Sequence, residues 1–166
     1  STWAEFVLPM LPMLLDLVRT DGTRLLAVGA GVHDDTGLID HLPWDEAREV
    51  SLIQRMDIGL MPLTDTPWAR GKCGYKLIQY MACGLPVVAS PVGVNKDIVE
   101  HGVNGFLAST ESEWREALLR LSRDPALRRT MGSAGRRKVE QAYSLQAWAP
   151  RVAGLLSSVA KHYEKN

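Results

Sequence analysis

One stretch, ARGKCGYKLIQYMACGLPVVASPVGVN at residues 69–95, restricts the fold of this chain more than any other. Within it, residues 72–83 predict a helix: Leu77, Ile78, Met81 and Ala82 share one face, and Tyr75, Lys76, Gln79 and Cys83 share another. Gly84 suits a left-handed C-cap and Pro86 forbids continuation, so the helix gives way at once to the strand PVVAS. A helix that drops straight into an apolar strand is half of a βαβ unit, and such units build parallel sheets.

The alternation extends to both sides. RLLAVG (24–29) reads as a buried strand ending in a glycine-rich turn at 29–31, and GLID (37–40) as a second short strand. Asp45 is placed to cap a helix whose apolar positions are Ala47, Val50, Leu52, Ile53 and Met56. DIGLMPL (57–63) is the next strand, closed by Pro62, and residues 64–71 read as a polar loop leading to the helix at 72–83. Beyond PVVAS come a short helix near 96–100, a turn at 102–105, the strand GFLA (105–108), and then helices at 111–123, 125–143 and 145–163. This order predicts an α/β fold, a Rossmann-like three-layer sandwich with one parallel sheet, helices on both faces and a helical C-terminal tail.

With 166 residues the chain suits one domain, 1–166, and its 19 basic and 19 acidic residues give no electrostatic footprint of a general nucleic-acid binder. Cys73 and Cys83 form neither a C-x-x-C pair nor a disulfide framework, which suits a reduced, cytoplasmic setting. The apolar run FVLPMLPMLLDLV (6–18) is interrupted by Pro9 and Pro12 and closed by Asp16, too short for a bilayer span, so it reads as a buried helix started by one of those prolines. A chain that opens inside an apolar element suggests a fragment of a longer protein.

Candidate chemistry concentrates at the start of the helix at 72–83. Gly71 and Gly74 flank its first turn without side chains to shield the backbone, and a helix start at the carboxyl ends of parallel strands is an anion site, suited to a phosphate-bearing ligand. Close helix packing is the competing explanation for the same glycines. Other constellations fail on spacing. GAGVHDD (29–35) lacks the third glycine of a dinucleotide fingerprint, since Asp34 stands in its place. His33, Asp34, Asp35 and His41 have no structural ligand spacing, and no G-x-S-x-G elbow is present.

YMACGLPVVASPVGVN and the following EHGVNGFL resemble the nucleotide-sugar-binding half of group 1 (family 4) retaining glycosyltransferases, enzymes of the two-domain GT-B architecture. The likeness runs in element order from about Leu25 to Tyr143 and is sharpest from Gly71 to Leu107. It implies that this chain is the GT-B C-terminal half, with 145–163 a helix crossing back toward an acceptor-binding N-terminal domain absent from this chain. It also implies a first strand ahead of residue 1, lying between LLAVG and DIGLMPL; without it the sheet would close up or be completed by a second copy of the chain. The isolated chain is then expected to be inactive, because residues that clamp the diphosphate usually lie in that first segment.

The resemblance further implies a donor site. Gly71, Lys72, Cys73, Gly74 and Tyr75 would offer backbone amides to the diphosphate, with Lys72 and Lys76 as cationic neighbours and Gly31 on the opposite glycine-rich loop. Leu42, Pro43 and Trp44 follow the second strand where the base is usually met, Trp44 as a stacking platform or as a packing plug. Gln79 stands where the family carries the second glutamate of an E-x7-E motif, which receives the ribose hydroxyls, and the first glutamate falls at Gly71. On this view Gln79→Glu would strengthen ribose recognition, as a neutral hydrogen bond becomes charge-assisted. The implied activity is transfer of a sugar from a nucleotide-diphosphate sugar, with no cofactor or obligatory metal, and with the full enzyme cytoplasmic or peripheral at a membrane. The departures at Gly71 and Gln79 leave the alternative of a non-catalytic Rossmann-like nucleotide-binding or interaction module.

Overall fold

A computed structural model describes residues 3–30 and 36–163. A π-helical turn at Trp3–Val7 and a 3-10 turn at Leu8–Met10 lead into helix α1, Leu11–Asp21, which has Pro12 in its first turn and ends on Gly22 in the left-handed conformation. Strands β1 (Leu25–Val28) and β2 (Ile39–Leu42) follow, with the second set two residues later than GLID suggests, so His41 and Leu42 belong to the strand. After it come a 3-10 turn capped by Asp45 and helix α2, Glu49–Ile53.

Strand β3 (Gly59–Met61) is followed by α3 (Pro67–Arg70), a single helical turn inside the segment read as loop. Its N-cap is Thr66, whose hydroxyl accepts from the Ala69 amide, and Pro67 sits where its missing N–H costs nothing. Then come α4 (Tyr75–Ala82), β4 (Val87–Ala89), α5 (Asn95–Ile98), β5 (Gly105–Leu107), α6 (Glu111–Arg123), α7 (Pro125–Ala142) and α8 (Leu145–Tyr163).

Among the described residues the strands form two parallel sheets, β1-β2 and β3-β4-β5. β1 and β3 are not hydrogen-bonded to each other, so the parallel strands part at the place where the family resemblance implies a further strand, and the sheet has not closed up across it. Helices cover both sides of the larger sheet, and β4 shows how its sequence achieves this. Val88 packs with Met13, Leu14 and Leu17 of α1 and with Trp114, Leu118 and Leu121 of α6. Val87 and Ala89 pack with Leu77 and Met81 of α4 and Ile98 of α5 on the other side. A strand buried on both faces reads as an unbroken apolar run, which is why PVVAS shows no alternation.

The end of α4 fixes the junction with β4. Gly84 takes φ +76°, its amide donates to Met81 O at 2.9 Å, and the Leu85 amide donates to Tyr80 O at 3.0 Å. That pair of bonds is the Schellman closure, which satisfies carbonyls the helix would otherwise leave bare. Helix α7 lies against this corner with Gly132 facing the Gly84 carbonyl and Gly135 facing Met81.

Candidate functional site at the start of helix α4

The loops after β1, β2 and β3 bring their residues to one end of the molecule, the carboxyl ends of the strands. There the amide of Gly29 donates to Leu42 O at 2.9 Å, and the empty Cβ position of Gly29 lies 2.8 Å from Trp44 Cβ. The glycine thus lets the β1 turn close over the residue that follows β2. Pro43 is exposed beside it, and Trp44 keeps 52% of its surface. Gly31, with His33, Asp34 and Asp35, lies outside the described residues.

Trp44 is tied to α4 through one carboxylate. Glu49, the first residue of α2, accepts from Trp44 Nε1 at 3.2 Å and Lys76 Nζ at 3.0 Å on Oε1, and from Gln79 Nε2 at 2.7 Å on Oε2. Three of the residues predicted from the sequence, Trp44, Lys76 and Gln79, are therefore gathered around a fourth that was not. The hydrogen bond from Lys76, followed by that from Trp44, holds the Glu49 carboxyl below the ordinary glutamate value. A carboxylate with a lowered folded-state pKa adds stability above its unfolded pKa and loses it as pH falls through the folded one. The contribution of Glu49 to stability is thus present at neutral pH and lost in acid.

Gln79 does not act as expected of an acceptor. Its amide nitrogen points at Glu49, and its Oε1 is buried without a partner. The reverse orientation would set two oxygens against each other at 2.7 Å, so Glu49 dictates the assignment. The same geometry argues against the expected gain in ribose recognition from Gln79→Glu, since a second carboxylate there would face the first.

The turn between α3 and α4 also differs from the predicted helix start at residue 72. Gly71 is the C-cap of α3 with an ordinary right-handed backbone, its amide donates to Trp68 O at 3.2 Å, and the Lys72 amide donates to Ala69 O at 3.1 Å. Those two amides are consumed by α3. Uncapped amides begin at Cys73, which is exposed, and run through Gly74 and Tyr75 to Lys76, since α4 has no side-chain cap. Gly74 has φ +67°, and a Cβ there would collide with Ile98 and lie 3.2 Å from Val94 Cγ2. Its missing side chain lets α4 pack on α5, so close packing accounts for this glycine. Gly93 (φ +53°) packs in the same way on the backbone of Arg70, where an added Cβ would come 2.5 Å from the carbonyl oxygen. Lys72 turns away from Glu49; its ammonium lies 4.1 Å from the Trp68 ring centroid and 5.0 Å from that of Phe6. Tyr75 is 59% exposed.

A separate cleft of about 460 Å³ opens at the carboxyl ends of β3, β4 and β5, with Phe6, Pro62, Asp65, Ser90 and Trp114 on its walls. None of the predicted site residues lines it. The cluster around Glu49 is the candidate for ligand recognition because polar groups from α2, α4 and the β2 loop converge there on one carboxylate, whereas the cleft combines Thr64, Asp65, Ser90, Ser109 and Glu111 with apolar side chains and holds none of the residues implied by the resemblance. No group of three or more His, Cys, Asp and Glu side chains suited to a metal ion occurs among the described residues.

Parallel strands with helices on both sides define a Rossmann-like α/β domain, and the polar cluster beside an uncapped helix start lies at the strand carboxyl ends, where such folds place ligands. The family model described as glycosyl transferases group 1 matches residues 5–124, and the chain belongs to that family. It is 35% identical over 74 residues to the human alpha-1,3/1,6-mannosyltransferase ALG2, covering 44% of this chain and 17% of that protein. To a GDP-mannose-dependent monoacylated alpha-(1-6)-phosphatidylinositol monomannoside mannosyltransferase of Corynebacterium glutamicum it is 27% identical over 150 residues, 81% of this chain and 39% of the other. Among solved structures it superposes on Anabaena HepE in complex with UDP with a TM-score of 0.65 and 25% identity, over 74% of this chain and 33% of HepE. The chain thus spans well under half the length of these relatives. No described helix is long and apolar enough to cross a membrane.

Proposed function

We propose that this chain is the donor-binding half of a glycosyltransferase of the GT-B kind, retaining and of family 4, which moves a sugar from a nucleotide-diphosphate sugar to an acceptor held by another domain. The observation that carries the reading is the convergence of Trp44, Lys76 and Gln79 on Glu49, beside the uncapped amides of Cys73 to Lys76. A base on Trp44, a ribose near Glu49 and a diphosphate at the α4 amides would lie in that order along one path. The relatives with UDP and GDP-mannose in their names support a nucleoside diphosphate as the ligand class.

Residues 1–166 form one donor domain in this reading, with α8 crossing toward the acceptor domain. In support, α8 exposes Leu145, Trp148, Val152, Leu155, Leu156 and Val159, a stripe at helical spacing that suits burial against another body. The unjoined edges of β1 and β3 would accept a further parallel strand, and a second copy of the chain is the competing way to cover them. The helix dipole and Lys76 would stabilise the leaving diphosphate, so the chemistry needs no cofactor and no obligatory metal. The complete enzyme would work in the cytoplasm or at the membrane periphery.

Half of a cleft should bind but not catalyse. The expected result is that the 166-residue chain binds UDP or GDP at about millimolar Kd, near −4 kcal/mol. It should release no diphosphate from UDP-glucose or GDP-mannose, with or without chelator. Donor turnover by this chain alone would contradict the two-half reading.

A further inference from the structure

The position the family resemblance marks for a ribose-binding carboxylate holds an amide here, and the structure shows where the charge has gone. Gln79 is spent as a donor: Nε2 bonds Glu49 and Oε1 is buried, so no accessible acceptor remains on it. Glu49 has the complementary state. Its Oε1 takes two donors, Trp44 Nε1 and Lys76 Nζ, and has no acceptor capacity left. Its Oε2 takes only the Gln79 amide and retains a lone pair, on a side chain that keeps 24% of its surface. Three donors from two elements fix the carboxylate's orientation, and the Lys76 partner offsets its charge, so a diphosphate nearby is not repelled.

We propose that Glu49, supplied by α2, is the residue that reads the ribose hydroxyls of the donor, and that Gln79 is the positioning residue that holds it. The assignment rests on the donor-site reading above. A fixed, half-screened carboxylate oxygen beside an exposed indole face suits a nucleoside: the ring stacks on Trp44 and a sugar hydroxyl donates to Oε2. It also accounts for the amide at position 79, which must donate to Glu49 rather than compete with it.

The test compares UDP and GDP with their 2′,3′-dideoxy analogues on the 166-residue chain, followed by NMR titration with a thermal melt of each variant. In the parent, the ribonucleotide should bind about tenfold better than its dideoxy counterpart. Glu49→Gln keeps the shape and removes the charge, and Glu49→Asp withdraws the carboxylate by one methylene. Both should erase most of that tenfold preference, because the ribonucleotide loses the hydroxyl contact as well as anything the dideoxy analogue loses. A merely structural role would lower both ligands together and leave the ratio intact, and an intact ratio in either folded variant overturns the assignment while the donor site stands. Failure of the parent to bind either diphosphate overturns the donor-site reading and this assignment with it.

Discussion

Gly132→Ala should destabilise the fold by about 3 kcal/mol, at the upper end of what overpacking costs, because the obstacle is backbone and cannot rotate away. A Cβ at Gly132 would run into the carbonyl of Gly84, the residue that closes α4 and turns the chain into β4. Shifting α7 to relieve the clash would also disturb Gly135 against Met81, which is fully buried. Gly154→Ala is the natural control, since nothing lies within 4 Å of its Cβ position on α8. That change should be neutral or stabilising by up to about 1 kcal/mol, from helix propensity alone. Urea unfolding of both variants is the measurement; a Gly132→Ala protein as stable as the parent would mean that α7 does not rest on the α4 corner.

Gln79→Glu should cost about 2 kcal/mol at neutral pH, the worth of a hydrogen bond to a charged group replaced by repulsion. The nitrogen lost is the one 2.7 Å from Glu49 Oε2. Its pH dependence separates this cause from a generic packing defect. In the parent, Glu49 has a lowered pKa, so its contribution is lost as the solution becomes acidic. In the variant one carboxyl of the pair must be raised, so its penalty is present at neutral pH and relieved as pH falls through that raised value. Melting curves of parent and variant should therefore converge in acid. A gap that stays constant with pH would show that the two side chains do not face each other.

Much of the fold was legible because it is written in local signals. Gly84 and Pro86 fix the α4–β4 corner, Asp45 caps the turn that follows it, and α6 and α8 have the bounds that periodicity predicts. The one-turn helix α3 was missed because four residues carry no period, although Thr66-Pro67 is a start signal. The split between the sheets falls where the family likeness implies a missing strand between LLAVG and DIGLMPL, while the element order alone reads as one sheet, since no residue of β1 or β3 encodes their adjacency. At the site, Trp44, Lys76 and Gln79 were named from the family likeness, but Glu49 was not. As the first residue of a helix it is indistinguishable in sequence from a solvated first-turn carboxylate, and its partners on α4 lie 27 and 30 residues away. Gly74 carried two readings, and only the coordinates of Ile98 and Val94 show why it lacks a side chain.

The most direct test of the donor-site account is an NMR titration of the 166-residue chain with UDP and with GDP, reading the indole N–H of each tryptophan and the backbone amides of α4. The account requires that at least one diphosphate shifts the Trp44 indole and the amides of Cys73 to Lys76 together, at a common Kd, with the Trp114 indole in the core unchanged. Shifts confined to the cleft walled by Phe6, Pro62 and Trp114, or none from either nucleotide at several millimolar, would contradict it.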